Sequence, residues 1–379
     1  MLYAEMFKTR GTHSFLVPEQ EQPSKDLARS QMEWLEAQMT AAGTDYIGTS
    51  RATVVDIQLF CVLRFVTHGP DGSGGPLADL LMKDLPWVNG WYTRMSESTA
   101  AAAQAFMMND AEKGAMIEPQ AATVPSTAAS ASKALEGATY YTFPPFPSPG
   151  VPEAFAAEIG CLDELKGVHK FIDAMAGENR SDEFKAINPM GEVPVIKFAD
   201  GTLLSETIAI CQFLEESGLK KTEGPSLFGT GPMERAIVVM WQRRCEQTII
   251  LPAFTYARAA PFRELFKSRG THSFLVPEQA EPAKNLARSQ LEWIDKAMAG
   301  NEYICTGKCT VVDIHLFIVL RFVTKGPDGN GGPIPDLIKG LPWVEAWFER
   351  MAARPCAGAT AKMMEPPAAE GEKSDRDCC

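Results

Sequence analysis

The sequence is short of several things. It has no run of 18 or more apolar residues, so no membrane-crossing helix is expected. Its opening, Met1 to Lys8, lacks the apolar core of a leader peptide. Positive charge is scarce: 36 Lys and Arg stand against 48 Asp and Glu, for a net charge of −12. That balance argues against nucleic acid as a main partner. Histidine is sparse, with five in 379 residues. The nine cysteines are odd in number and form no Cys-x-x-Cys pair. Cys305 and Cys309 flank a short loop, but no second ligand pair follows, so no metal site is expected. Scattered, odd-numbered cysteines suit a reduced, cytoplasmic setting. What remains is 45% hydrophobic and 22% charged, as in a soluble globular protein, with length for two or three domains.

The chain repeats itself. Phe7 to Trp34 reads FKTRGTHSFLVPEQEQPSKDLARSQMEW, and Phe266 to Trp293 reads FKSRGTHSFLVPEQAEPAKNLARSQLEW. Of these 28 positions 22 are identical. The match continues with TVVDI at 53–57 and 310–314, GPDG at 69–72 and 326–329, and LPWV at 85–88 and 341–344. A unit of this length is a copied half-domain rather than a solenoid repeat. Within each copy, Thr53 with Asp56, and Thr310 with Asp313, carry the spacing of a helix capping box.

Residues 188–210 are the densest stretch: Asn-Pro-Met-Gly-Glu-Val-Pro-Val-Ile-Lys-Phe-Ala-Asp-Gly-Thr-Leu-Leu-Ser-Glu-Thr-Ile-Ala-Ile. Val193-Pro194-Val195-Ile196 predicts a loop running into a strand. Asp200-Gly201 predicts a two-residue hairpin turn, and Thr202-Leu203-Leu204 the returning strand. Ser205-Glu206-Thr207 then opens a helix from Ile208 to Glu216, closed by Gly218.

This stretch resembles the glutathione transferase family in its thioredoxin-like half. That family has an Asn-Pro-x-Gly-x-Val-Pro loop, a hairpin, and a Ser-Glu-Ser/Thr helix start. The family also carries a capping box in its all-helical half, where Thr310 and Asp313 stand. The resemblance therefore spans 139–360. It implies a cis bond between Val193 and Pro194, whose exposed backbone edge would pair with the extended tripeptide glutathione. Glu206 would hold the ammonium of the γ-glutamyl end. Thr207 and the free N–H groups of the helix start would hold its carboxylate.

Taken in order, residues 1–115 read as a partial copy of the family's helical half, and 116–138 as an Ala/Ser/Thr/Pro linker. Residues 139–218 form the glutathione-binding domain, with strands at 138–143 and 168–172, a helix from Val151 and a β-α-β-α-β-β-α order. Residues 230–365 form the second helical domain, with a long helix from Met233 to Arg258 interrupted near Pro252. Residues 366–379 are a charged, disordered tail. The fold class expected is α/β plus all-α.

The family's reaction is attack of the glutathione thiolate on an electrophile, which requires a donor that favours the thiolate. Ser148, in the loop after the first strand, falls at the family's position for that group. Some members place a hydroxyl two residues earlier, where this chain has Phe146. Tyr141 or a backbone N–H is the alternative donor. No cysteine occupies the loop, which speaks against dithiol chemistry. Phe146, Met240, Trp241, Phe254 and Tyr256 are candidate walls for a small apolar electrophile, and Arg243 or Arg244 could meet a glutathione carboxylate. The resemblance implies glutathione as co-substrate, no metal, and a homodimer. Its rivals are a glutathione-dependent cis–trans isomerase and a non-catalytic assembly module.

Overall fold

The computed structural model describes residues 21–68, 75, 77–98, 134–143, 146–261, 277–326 and 329–361. Most of the expected linker, the tail, nearly all of the Gly69–Pro76 turn and the start of each repeat lie outside them. The described chain falls into two compact units, residues 21–98 and residues 134–361.

The first unit is helical: α1 (Glu21–Ala42), α2 (Val54–His68), α3 (Ala78–Met82) and α4 (Pro86–Ser96). Apolar residues three and four apart put Met32, Leu35 and Met39 on one face of α1, and Val88, Trp91 and Met95 on one face of α4. With Phe60 and Leu63 of α2 they form a single core. Asp56 organises the start of α2. Its carboxylate accepts from the Thr53 N–H and hydroxyl, both at 2.8 Å, from the Ile47 N–H at 2.8 Å, and from Trp91 Nε1 at 2.9 Å.

The second unit begins with a four-stranded sheet: β1 (Thr139–Thr142), β2 (His169–Phe171), β3 (Val195–Lys197) and β4 (Leu203–Ser205), in spatial order β2-β1-β3-β4. β1 runs parallel to β2, with Tyr140 opposite His169, and antiparallel to β3, with Tyr140 opposite Ile196. α5 (Pro147–Ile159) provides the crossover to β2, followed by the short α6 (Leu162–Lys166). α7 (Asp182–Lys185) precedes β3, and α8 (Thr207–Glu216) follows β4. This is the expected β-α-β-α-β-β-α order on a thioredoxin-like sheet.

The hairpin between β3 and β4 is longer than the expected two-residue turn. The Gly201 N–H donates to the Phe198 carbonyl at 3.0 Å, and the Phe198 N–H to the Thr202 carbonyl at 2.8 Å. Three residues, Ala199 to Gly201, therefore make the connection. The Asp200 carboxylate accepts from the Thr202 N–H at 2.8 Å, and Gly201 sits at φ 88°, a conformation that favours glycine.

The helices that follow are α9 (Gly231–Cys245), α10 (Leu251–Ala259), α11 (Ala280–Ala297), α12 (Val311–Lys325), α13 (Pro342–Ala352) and α14 (Pro355–Ala361). The expected interruption near Pro252 is a π turn, Glu246–Ile250, joining α9 to α10. Pro252 lacks the N–H that would continue a regular ladder across this junction. Asp313 repeats the bonding of Asp56: it accepts from the Thr310 N–H and hydroxyl at 2.9 Å, and from the Ile304 N–H and Trp347 Nε1 at 3.0 Å.

The two units share further details. Arg29 caps the Leu80 and Lys83 carbonyls as Arg288 caps those of Leu337 and Lys339. Trp87 and Trp91 stack at 6.3 Å, and Trp343 and Trp347 at 6.2 Å. In the second unit one hydrophobic core runs from Tyr140 and Phe155 through Ile210 to Phe317 and Trp347. The sheet and the helices behind it thus pack as one body, with α5 lying against α8, α12 and α14. Among the described residues no helix is long and apolar enough to cross a membrane. None of their His, Cys, Asp and Glu side chains gather in threes that could hold a metal ion.

Candidate functional site

A cavity of about 520 Å³ opens in the second unit between two helix starts and three helices. Ser148 of α5 and Glu206, Thr207 and Ile208 at the start of α8 line one side. Val238, Val239, Gln242, Arg243, Glu246, Ile250, Phe254 and Arg258 line the other.

The start of α5 explains the position of Ser148. The helix begins at Pro147, four residues before the expected Val151. Prolines at 147 and 149 sit in the first turn, where N–H groups have no helical partner, so they cost no hydrogen bond. Ser148 therefore belongs to a helix N-terminus and not to a loop. Pro152 lies deeper in the helix and has no N–H for the Ser148 carbonyl four residues back. The Thr207 hydroxyl donates to that carbonyl at 3.3 Å.

Glu206 stands between β4 and α8 at φ 70°, ψ 122°. Outside glycine this conformation is strained, and such strain gathers at functional positions. Burial by the surrounding protein raises the Glu206 pKa, and the nearby carboxylates of Glu192 and Glu246 raise it further. Two arginines counter these charges. Arg243 pairs with Glu246 at 3.1 Å. Arg258 lies 5.6 Å over the Phe254 ring, and its pKa is lowered by desolvation, with Glu192 pulling the other way.

The Val193-Pro194 bond is cis, as the resemblance implied. Neither residue lines the cavity, but Glu192, next to them, does. Among the described residues no hydrogen bond engages the Val193 N–H or carbonyl. Val193 is half-buried and packs beside the cluster of Tyr141, Ile172, Phe184 and Val195.

At one end of the cavity the Gln242 amide lies 2.7 Å from His315 Nδ1. Burial pushes the His315 pKa down to about 4, so the imidazole is neutral. A neutral ring whose Nδ1 accepts from Gln242 carries its proton on Nε2.

Of the five expected wall residues, only Phe254 lines the cavity. Trp241 stacks on Trp293 at 5.6 Å beneath Arg244, and Met240 points to solvent. Tyr256 lies under Lys284, and Phe146 packs edge-on against Phe143 at 4.9 Å. Phe228, Val238, Val239 and Ile250 take their place and were not singled out from sequence. Arg244 lies on the tryptophans, whereas Arg243 reaches the cavity. Tyr141, the alternative donor, is buried against Phe184 at 5.7 Å and does not line the cavity.

Two family models match this unit. Residues 161–217 match the glutathione S-transferase N-terminal domain, and residues 264–355 the glutathione S-transferase C-terminal domain. Glutathione S-transferase 2 of Saccharomyces cerevisiae is 27% identical over 222 residues, covering 57% of this chain and 85% of the relative. Glutathione S-transferase GstA of Escherichia coli O157:H7 is 28% identical over 178 residues, covering 46% of this chain and 74% of the relative. Among solved structures, a glutathione S-transferase domain-containing protein of Marinobacter aquaeolei VT8 superposes with a TM-score of 0.50 at 29% identity. That match covers 57% of this chain and 98% of the other.

Proposed function

Because the chain belongs to the glutathione transferase family, we propose that this cavity binds glutathione and directs its thiolate at a small apolar electrophile. The observation that carries the reading is the meeting of Ser148, Glu206 and Thr207 in one cavity that Glu192, the neighbour of Val193, also lines. Glu206 takes the γ-glutamyl ammonium, and its carboxylate is the form that can do so. The α8 N-terminus and the Thr207 hydroxyl take the neighbouring carboxylate. The Val193 N–H and carbonyl pair with the cysteinyl backbone of the tripeptide, and Pro194 fixes the chain direction there.

The thiol then lies near the start of α5. The Ser148 hydroxyl donates to the sulfur, and the positive end of the helix favours the thiolate over the thiol. The thiolate attacks the electrophile, forming a carbon–sulfur bond as the leaving group departs with its electron pair. Phe228, Val238, Ile250 and Phe254 provide an apolar wall for that second substrate. A homodimer in a cytoplasmic setting is the assembly this family reading carries, and sedimentation of the purified chain reads it.

The test is turnover of glutathione with a chloronitrobenzene, run beside maleylacetone. Conjugation of the first supports the proposal. Isomerisation of the second alone would move the activity to a glutathione-dependent isomerase. Retention on immobilised glutathione without turnover of either would make the chain a binding module.

A further inference from the structure

Every side chain of α12 from Val311 to Leu320 is buried. Three buried side chains of this helix are polar: Asp313, His315 and Thr324. Asp313 accepts the four bonds of its cap, and the Thr324 hydroxyl donates to the Leu320 carbonyl at 2.6 Å. His315 is different. It is 7% exposed, and among the described residues its ring makes one hydrogen bond, between Nδ1 and the Gln242 amide.

That bond sets the tautomer. An Nδ1 that accepts leaves the proton on Nε2. Among the described residues the Nε2–H has no partner. Gln242 Oε1 has none either and is enclosed by protein, whereas His315 Nε2 is not. His315 lines the cavity with Val238, Ile250 and Phe254, and Nε2–H is the group it presents there. A buried donor left unpaired costs free energy. The helix itself does not need this side chain: the repeat has Gln58 at the same place in α2, where it is exposed.

We propose that the His315 Nε2–H is the donor for an oxygen of the second substrate. It makes the cavity selective for electrophiles in which attack drives charge onto a carbonyl oxygen, the α,β-unsaturated carbonyl compounds. The inference rests on the glutathione reading of this cavity and adds the group that meets the other reactant. The thiolate sulfur forms a bond to the β carbon. The π electron pair of the carbon–carbon double bond moves towards the carbonyl, and its oxygen takes on the negative charge of an enolate. Nε2–H donates to that oxygen and keeps its own proton, as a neutral imidazole can. The α carbon then takes a proton from solvent, so the elements of the glutathione S–H add across the double bond. Val238, Ile250 and Phe254 hold the apolar remainder of the substrate.

The test has two arms, both on the full chain. In the first, nitrogen resonances of isotope-labelled histidine rings are followed, with His315 identified by the signals lost in His315→Gln. Nε2 should read as the protonated nitrogen. It should shift on addition of benzylacetone, an unreactive ketone, and not on addition of butylbenzene, which lacks the oxygen. In the second arm, conjugation of benzylideneacetone, an enone, is compared with that of benzyl chloride, which has no oxygen and loses chloride. The ratio of the two kcat/KM values should fall by about ten-fold or more in His315→Leu. A proton on Nδ1, an Nε2 signal that benzylacetone does not move, or the same ratio in His315→Leu as in the parent each overturns the inference while leaving the glutathione reading in place. A parent chain that conjugates neither electrophile overturns both. The first arm is read on the parent chain, so it decides the matter even where His315→Leu does not fold.

Discussion

The Thr207 hydroxyl donates to the Ser148 carbonyl at 3.3 Å, tying the starts of α5 and α8 together across the rim of the cavity. The bond exists because Pro152 supplies no N–H to that carbonyl. Thr207→Val keeps the shape and removes the donor, leaving a partly buried carbonyl unpaired. It is expected to lower unfolding stability by about 1–2 kcal/mol, measured by urea denaturation. An unchanged midpoint would show that solvent serves the carbonyl equally well.

Ser148 is expected to act on the thiol and not on the tripeptide backbone. Ser148→Ala should therefore lower kcat more than it raises KM. The thiolate absorbance of bound glutathione, followed against pH, should titrate at higher pH in the variant than in the parent. A titration that does not move would assign the donor to a backbone N–H at the start of α5, because Tyr141 is packed away against Phe184.

Glu206 pays for its place in the cavity with a backbone at φ 70°, which a glycine adopts without strain. Glu206→Gly and Glu206→Ala both remove the carboxylate, but only the first relieves the backbone. The glycine variant should be the more stable by about 1 kcal/mol or more in thermal or urea unfolding. Equal stabilities would mean that the neighbours, and not this residue, hold the turn.

Much of this site was legible in the sequence, because its parts are local. The Asn-Pro-x-Gly-x-Val-Pro loop, the hairpin and the Ser-Glu-Thr helix start are contiguous, and each dictates its own backbone. The capping boxes at Thr53 and Thr310 are equally local. What failed needed tertiary knowledge. Prolines around Ser148 suggest a loop when counted and a helix start when their positions in the first turn are known. The apolar wall went mostly to the wrong residues because tertiary packing decides which face of α9 meets the cavity: Val238, Val239 and Gln242 line it, while Trp241 packs on Trp293. Trp241 looked like a substrate wall, but its partner Trp293 lies some fifty residues on, beyond any periodic signal.

His315 makes stability depend on pH. Its folded pKa is about 4, and the unfolded imidazole titrates near 6.5. Below about 6.5 the unfolded chain binds a proton that the folded chain refuses, so stability falls as pH drops from 6.5 towards 4. The full span amounts to roughly 3 kcal/mol. His315→Gln, the residue that Gln58 supplies at the equivalent place in α2, should remove this contribution. The check is the difference in unfolding free energy between variant and parent at pH 4.5 and pH 7.5. A difference that does not change with pH would show that another group carries the slope.

The central claim is that this cavity is the glutathione site, with Glu206 on the ammonium. Calorimetric titration of glutathione into the parent chain and into Glu206→Ala tests it most directly. One tripeptide is expected per parent chain, with binding weakened by about 1–3 kcal/mol in the variant. A variant that binds glutathione as tightly as the parent, or a parent that binds none, would contradict it.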